Sequence, residues 1–311
     1  MRSLLIVGCL AVAACSSPEP RFAFADLEEG RAVMTAEDGF LSRVGAIEVG
    51  VRVEDAEATS PDALRALYHD GVTTFSAEER ARLEALLEAE HDTLTRIADH
   101  LPPTVLFVAT DGTVEWSAPH TRANAIIFTP SWLAAEDRQF RRTFYHELFH
   151  VISRHDPALR EQAYALIGFE PCAVTVPDSL ARRRITNPDA PTHEHYLPLD
   201  LDGADGVVPY TYTFADGYSP DVEGFAFLQF GLIAVTETDG QCMPVTALGE
   251  DGLLSPQDVP AYVPRTGGNT DYIIHAEEVM ADNFVMWVEG DTDLPSPQIP
   301  AELGRLFTSN E

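Results

Sequence analysis

Arg141-Arg142-Thr143-Phe144-Tyr145-His146-Glu147-Leu148-Phe149-His150-Val151-Ile152 is the stretch whose reading decides this chain. It contains His-Glu-x-x-His. Two histidines four apart on a helix project from one face, one turn above the other. Both imidazoles then reach a single metal ion at about 2.0–2.1 Å. Glu147, between them, stands beside a metal-held water as its proton acceptor. Phe140, Phe144, Leu148, Val151 and Ile152 follow helical spacing, so the segment reads as a buried helix. Asp137 at its start and Arg154 and His155 at its end suit the helix dipole. The plainer alternative is a core helix with two hydrogen-bonded histidines. That arrangement needs a separate partner for every buried polar group.

Two protein ligands do not complete a zinc site; a catalytic zinc takes three and a water. A second segment, residues 272–284, supplies the third. Ile274, Val279, Met280, Phe284, Val285 and Trp287 suit a buried helix. Glu278 and Asp282 are four apart and share a face, with His275 one turn earlier. Glu-x-x-Ala-Asp downstream of His-Glu-x-x-His resembles the gluzincins, zinc metallopeptidases whose third ligand is a glutamate. The resemblance implies that His146, His150 and Glu278 bind Zn2+, that Glu147 is the general base, and that Asp282 orients the His146 ring. Glu277 competes for the ligand role, but only Glu278 has an aspartate one turn later. Gluzincins also carry a Tyr or His that stabilises the oxyanion. His275 and Tyr272 are candidates by nearness in sequence, His195 and Tyr196 by composition.

The departures from that family are specific. Glu278 follows His150 at longer range than in the thermolysin-type members. No Gly-x-Met-Glu-Asn segment stands upstream, so the aminopeptidase branch is not supported. Metzincins are the rival: Asp156 occupies their third-ligand place, but Ser153 stands where they need glycine.

The implied fold is α+β: a zincin-like, two-lobed domain with a small mixed sheet, the motif helix, and a β-rich insertion before the C-terminal ligand helix. Residues 26–169 form the first lobe, 170–265 the insertion, and 266–311 the C-terminal helical part. Ala46–Val53 alternates and reads as a strand. Ser60-Pro61-Asp62 opens a short helix closed by Gly71. Ser76 and Glu79 fit a capping box, and one long helix is expected from there to about His100. Residues 104–109 read as a buried strand, 113–116 as a hairpin return, and 123–129 as a third strand. In thermolysin-like peptidases a strand at this third place rims the cleft and pairs with an extended peptide; an ordinary sheet strand is the equal alternative. In the insertion, residues 207–214 and 225–235 look like strands. Residues 200–206 miss the calcium-loop spacing and read as a solvated turn. His193-Glu194-His195-Tyr196 follows two prolines and reads as a polar loop.

The first residues carry an address. Met1-Arg2 precedes a short apolar run ending in Val12-Ala13-Ala14-Cys15. The run is too short to span a bilayer and has the form of a signal core. Its end resembles the lipobox of bacterial lipoproteins, implying a signal peptide at 1–14, lipid on Cys15, and an anchor and linker at 15–25. Ser16 after the cysteine resembles outer-membrane-sorted members. A bacterial cell-envelope protein anchored by lipid follows, on the outer membrane or periplasmic face. In such an oxidising compartment Cys172 and Cys242 suggest one disulfide, with two buried free thiols as the alternative.

The chain has 50 acidic against 20 basic residues, a formal charge of −30. Such a surface repels nucleic acid. The expected partners are a peptide or protein substrate, and a membrane through the N-terminal lipid only. The reading is a zinc metallopeptidase. Its rivals are a lipoprotein with a structural or vestigial zinc site acting as a binding or assembly factor, closed by a fourth ligand such as His275, and a hydrolase of non-peptide amides such as a cell-wall bond.

Overall fold

A computed structural model describes residues 21–222 and 224–308. The lipobox and Cys15 lie outside the described residues. Among the described residues no helix is long and apolar enough to cross a membrane.

The fold is α+β. Strand β1 (Arg21–Phe24) opens it, then α1 (Leu27–Thr35), α2 (Ala46–Val53), α3 (Pro61–Gly71) and β2 (Val72–Thr73). Next come α4 (Ala77–Ala89), α5 (His91–Arg96), β3 (Thr104–Thr110), β4 (His120–Arg122) and β5 (Ala125–Phe128). The five strands form one mixed sheet in the order β1-β3-β5-β4, with β2 also on β3. Residues 21–24, expected in the linker, are thus an integral parallel strand.

Three expectations for this part fail, each for a physical reason. Ala46–Val53 is a helix, not a strand. Eight alternating residues also fit one face of a short helix. A buried network selects that conformation: Glu48 accepts from Arg52 at 2.9 and 3.0 Å and from Thr186 N at 2.6 Å. Residues 113–116 do not return as a strand. Glu115, Trp116 and Ser117 take left-handed backbone (φ 48°, 51° and 64°), which Glu115 offsets by binding Arg52 and Tyr68. The helix expected to reach His100 breaks at Glu90. Its carboxylate is held by Arg141 at 2.6 and 2.8 Å and by the Tyr145 hydroxyl at 2.6 Å.

The third strand also sits differently. β5 is interior, between β3 and antiparallel β4, so the edge strand is β4. It lies just before α6 (Pro130–Leu133) and the motif helix α7 (Asp137–His155), followed by α8 (Pro157–Leu166).

The segment expected as an insertion carries β6 (Glu170–Pro171), β7 (Ala173–Val174), α9 (Asp178–Arg182), β8 (His195–Leu201), β9 (Ala204–Tyr212), β10 (Gln229–Thr238), β11 (Gln241–Pro244) and β12 (Leu253–Leu254). Its seven strands make a second sheet in the order β6-β8-β9-β10-β11-β7, with β12 also on β10. Residues 200–206 span the β8–β9 reversal, with Gly203 at φ +86°. His195 and Tyr196 begin β8 instead of lying on a loop; pairing with β6 overrides the two prolines upstream. Cys172 and Cys242 are joined by a disulfide. The chain closes with α10 (Tyr262–Arg265), α11 (Ala276–Glu289) and α12 (Gln298–Leu306).

α7 is the centre of the main core. Phe144 and Phe140 meet Phe107 and Phe128 of the first sheet, at 6.3 and 6.2 Å between ring centroids. On its other side Tyr145 and Phe149 meet Phe284 of α11, at 6.0 and 5.6 Å. Leu197, Val207 and Leu232 of the second sheet join the same cluster. Burial of so many apolar side chains fixes α7 and α11 side by side.

Candidate metal centre

The packing of α7 against α11 brings His146, His150 and Glu278 together. One ligand atom from each lies within 4.8 Å of the others. Glu278 Oε2 is 3.0 Å from His146 Nε2 and 3.5 Å from His150 Nε2. Ligands arranged tetrahedrally at 2.0–2.1 Å from zinc are about 3.3 Å apart.

The outer nitrogen of each imidazole is anchored by a carboxylate of α11. Asp282 Oδ1 is 3.0 Å from His146 Nδ1, and its other oxygen accepts from the Thr270 hydroxyl. Glu277 Oε1 is 2.9 Å from His150 Nδ1, and this carboxylate also accepts from Ser153 and Tyr164. Both rings are therefore turned so that their Nε2 atoms face Glu278. Carboxylate–histidine pairs of this kind fix the orientation of metal-binding imidazoles and raise their basicity. Asn187 donates to Glu278 Oε1, which leaves Oε2 for the shared centre.

Two groups at this point lack hydrogen-bond partners although buried: His150 Nε2 and Glu147 Oε2. A fully buried imidazole nitrogen that faces Glu278 Oε2 at 3.5 Å without a hydrogen bond is disfavoured, and a cation between the two removes the penalty. The electrostatics agree. Burial alone would lower the His146 imidazole, but the bonds to Asp282 and Glu278 outweigh it and lift the pKa to about 10. Burial likewise opposes the charged form of Glu278, yet His150 and His146 hold its carboxyl well below the usual range. Without a metal, protons on the two rings supply the positive charge that the carboxylates demand. The donor set of two imidazole nitrogens and one carboxylate oxygen fits zinc.

Glu147, next to His146 and a turn before His150, is 4 % exposed. Burial first, and then the charge of Asp189, push its pKa up. It opens onto a cleft lined by Trp132, Arg142, Thr143, Asp189 and Tyr272 together with His146. Tyr272 is 43 % exposed, and its ring stacks on His146 at 5.9 Å.

His275 does not share that cleft. It caps α11, its Nδ1 accepting from Glu277 N at 3.0 Å, while its Nε2 meets Thr192 O at 3.1 Å. Both nitrogens are taken, so the oxyanion role expected for it is withdrawn. Its place at the helix N-terminus, where a side-chain acceptor is needed, is the reason. His195 is bound to Glu161 at 2.8 Å, and Tyr196 lies in β8 beside β6.

Sequence reasoning missed Asn187 and Asp189. They lie on an irregular segment of the insertion, where no periodicity marks them. It also missed the grip of Glu277 on His150. That was visible in principle, because Glu277 adjoins Glu278 at the helix start. Comparison of the chain with family models, curated proteins and solved structures returned no match.

Proposed function

We propose that the chain is a zincin-like, zinc-dependent metallopeptidase that hydrolyses peptide bonds, held at the cell envelope through Cys15. The observation that carries this reading is the convergence of His146, His150 and Glu278 around a buried nitrogen with no partner, each ring steadied from behind by a carboxylate.

His146, His150 and Glu278 would hold the zinc. When bound, zinc acidifies water and polarises a carbonyl oxygen. Glu147 takes the proton of the attacking water through its free Oε2 and passes it to the departing amine. Burial suits it to the first step, because a raised pKa makes the carboxylate a better base. Tyr272, exposed in the same cleft, is the remaining donor for the oxyanion now that His275 is committed elsewhere. A structural zinc site would need a fourth protein ligand to close it, and both nitrogens of His275 are already bonded.

The test is direct. Zinc-loaded protein is expected to cleave casein-type peptides, to stop on chelation, and to recover on zinc addition. Glu147→Gln should keep one zinc per chain and lose roughly 100- to 10,000-fold in kcat. Full activity in that variant, or a wild-type chain that binds no zinc, would overturn the reading.

A further inference from the structure

Asp189 stands at the reacting centre on a segment of the insertion. One of its carboxylate oxygens lies within 4.8 Å of ligand atoms on both Glu147 and His150. The carboxylate is fixed: Oδ1 accepts from Thr121 N at 2.6 Å and from Thr121 Oγ1 at 2.7 Å. Arg154 secures the backbone, donating to Asp189 O at 3.1 Å and to Thr121 Oγ1 at 3.0 Å. Among the described residues no Lys, Arg or His nitrogen lies within 4.0 Å of this carboxylate. Beside it the buried Glu147 Oε2 has no hydrogen-bond partner. Two neighbouring carboxylates in a low-dielectric pocket call for a cation. The one arginine lining the cleft, Arg142, is occupied by Glu289.

The same contact closes one end of the strand edge. β4 is the outer strand of the first sheet, and successive residues point their N–H groups to alternate sides. Thr121, the middle residue of β4, turns its N–H outward, and Asp189 has taken it. All three residues of β4 are buried, so an extended peptide cannot continue past this carboxylate along the edge. A chain that begins there instead presents an ammonium to it. In an N-terminal residue the ammonium nitrogen is about 2.5 Å from its own carbonyl carbon, one Cα away. That puts both groups within the small space shared by Asp189, Glu147 and His150. A lysyl ammonium, at the end of a four-carbon stem, does not match this spacing.

We propose that Asp189 is the recognition carboxylate for the free α-ammonium group of the substrate, so that the centre acts on the N-terminal residue of a peptide. This rests on the metallopeptidase reading above. It arises from the insertion and not from any upstream glutamate motif.

The experiment compares three hydroxamates on the zinc-loaded full-length protein by calorimetry: leucine hydroxamate, its N-acetyl derivative, and acetohydroxamate. Leucine hydroxamate should bind roughly 10- to 100-fold more tightly than the acetylated form. In Asp189→Asn that ratio should fall to near one, with zinc content and acetohydroxamate affinity unchanged. Equal binding of the free and acetylated compounds to the wild type, with acetohydroxamate bound normally, overturns the proposal and leaves the metallopeptidase standing. Loss of zinc from Asp189→Asn also overturns it, by making Asp189 a metal ligand. Failure of all three compounds to bind sinks the underlying reading and the proposal with it. The wild-type comparison decides the matter even if the variant does not fold.

Discussion

At the scale of single residues, the candidate centre is steadied by side chains that stand behind His146, His150 and Glu278. Asp282 holds His146 from behind and is itself held by Thr270. Asp282→Asn removes the charge but keeps the size, and should weaken zinc binding by roughly 10- to 100-fold, read by chelator competition. Unchanged affinity would mean that Asp282 does not steady the ring. His146, His150, Glu278 and Asp282 were legible in the sequence because helical spacing alone puts each pair on one face. Asn187 and Asp189 were not. Asn187 acts through its bond to Glu278 and Asp189 through two bonds to Thr121, and no local pattern records bonds to such distant partners.

Among the elements, α7 and α11 set the site, and their neighbours hold them in place. α12 comes so close to α11 that a Cβ on Gly304 would lie 2.0 Å from Trp287 Nε1. Gly304→Ala should therefore cost about 1–3 kcal/mol, measured by denaturant unfolding. A neutral effect would show that Trp287 moves aside freely. The break between α4 and α5 is pinned to α7 through Glu90. The Arg141 guanidinium, aided by the Tyr145 hydroxyl, holds the Glu90 carboxyl below its ordinary 4.5. A carboxyl with a lower pKa folded than unfolded stabilises the fold above its unfolded value and loses that contribution as pH falls through the folded one. The Tm advantage of the wild type over Glu90→Gln should thus be full above roughly pH 5 and shrink in more acid solution. An advantage that grows on acidification would contradict the assignment. The misread Ala46–Val53 belongs to this scale as well. Eight residues with period two are too few to exclude a helix, and the Glu48–Arg52 pair decides between them through Thr186 and Glu115.

For the molecule as a whole, the segment of residues 170–265 both forms a second sheet and reaches the candidate centre. It packs Leu197, Val207 and Leu232 into the core around α7, and it delivers Asn187 and Asp189 to the centre. The Cys172–Cys242 disulfide closes a 70-residue separation within it. Replacing both cysteines by alanine should lower unfolding free energy by about 2–4 kcal/mol. An unchanged denaturation midpoint would show that the sheet holds without the bridge. By itself the sequence determined the two helices of the candidate centre, the α+β class, and the faces on which His146, His150 and Glu278 stand. Those are consequences of period and capping, which a few neighbouring residues express. Only the tertiary structure decided that β4 and not β5 is the edge, that His275 caps a helix instead of facing the cleft, and that Asp189 reaches Glu147. Each of these depends on which surfaces remain free after the apolar core has closed, and that competition is settled among residues far apart in the chain.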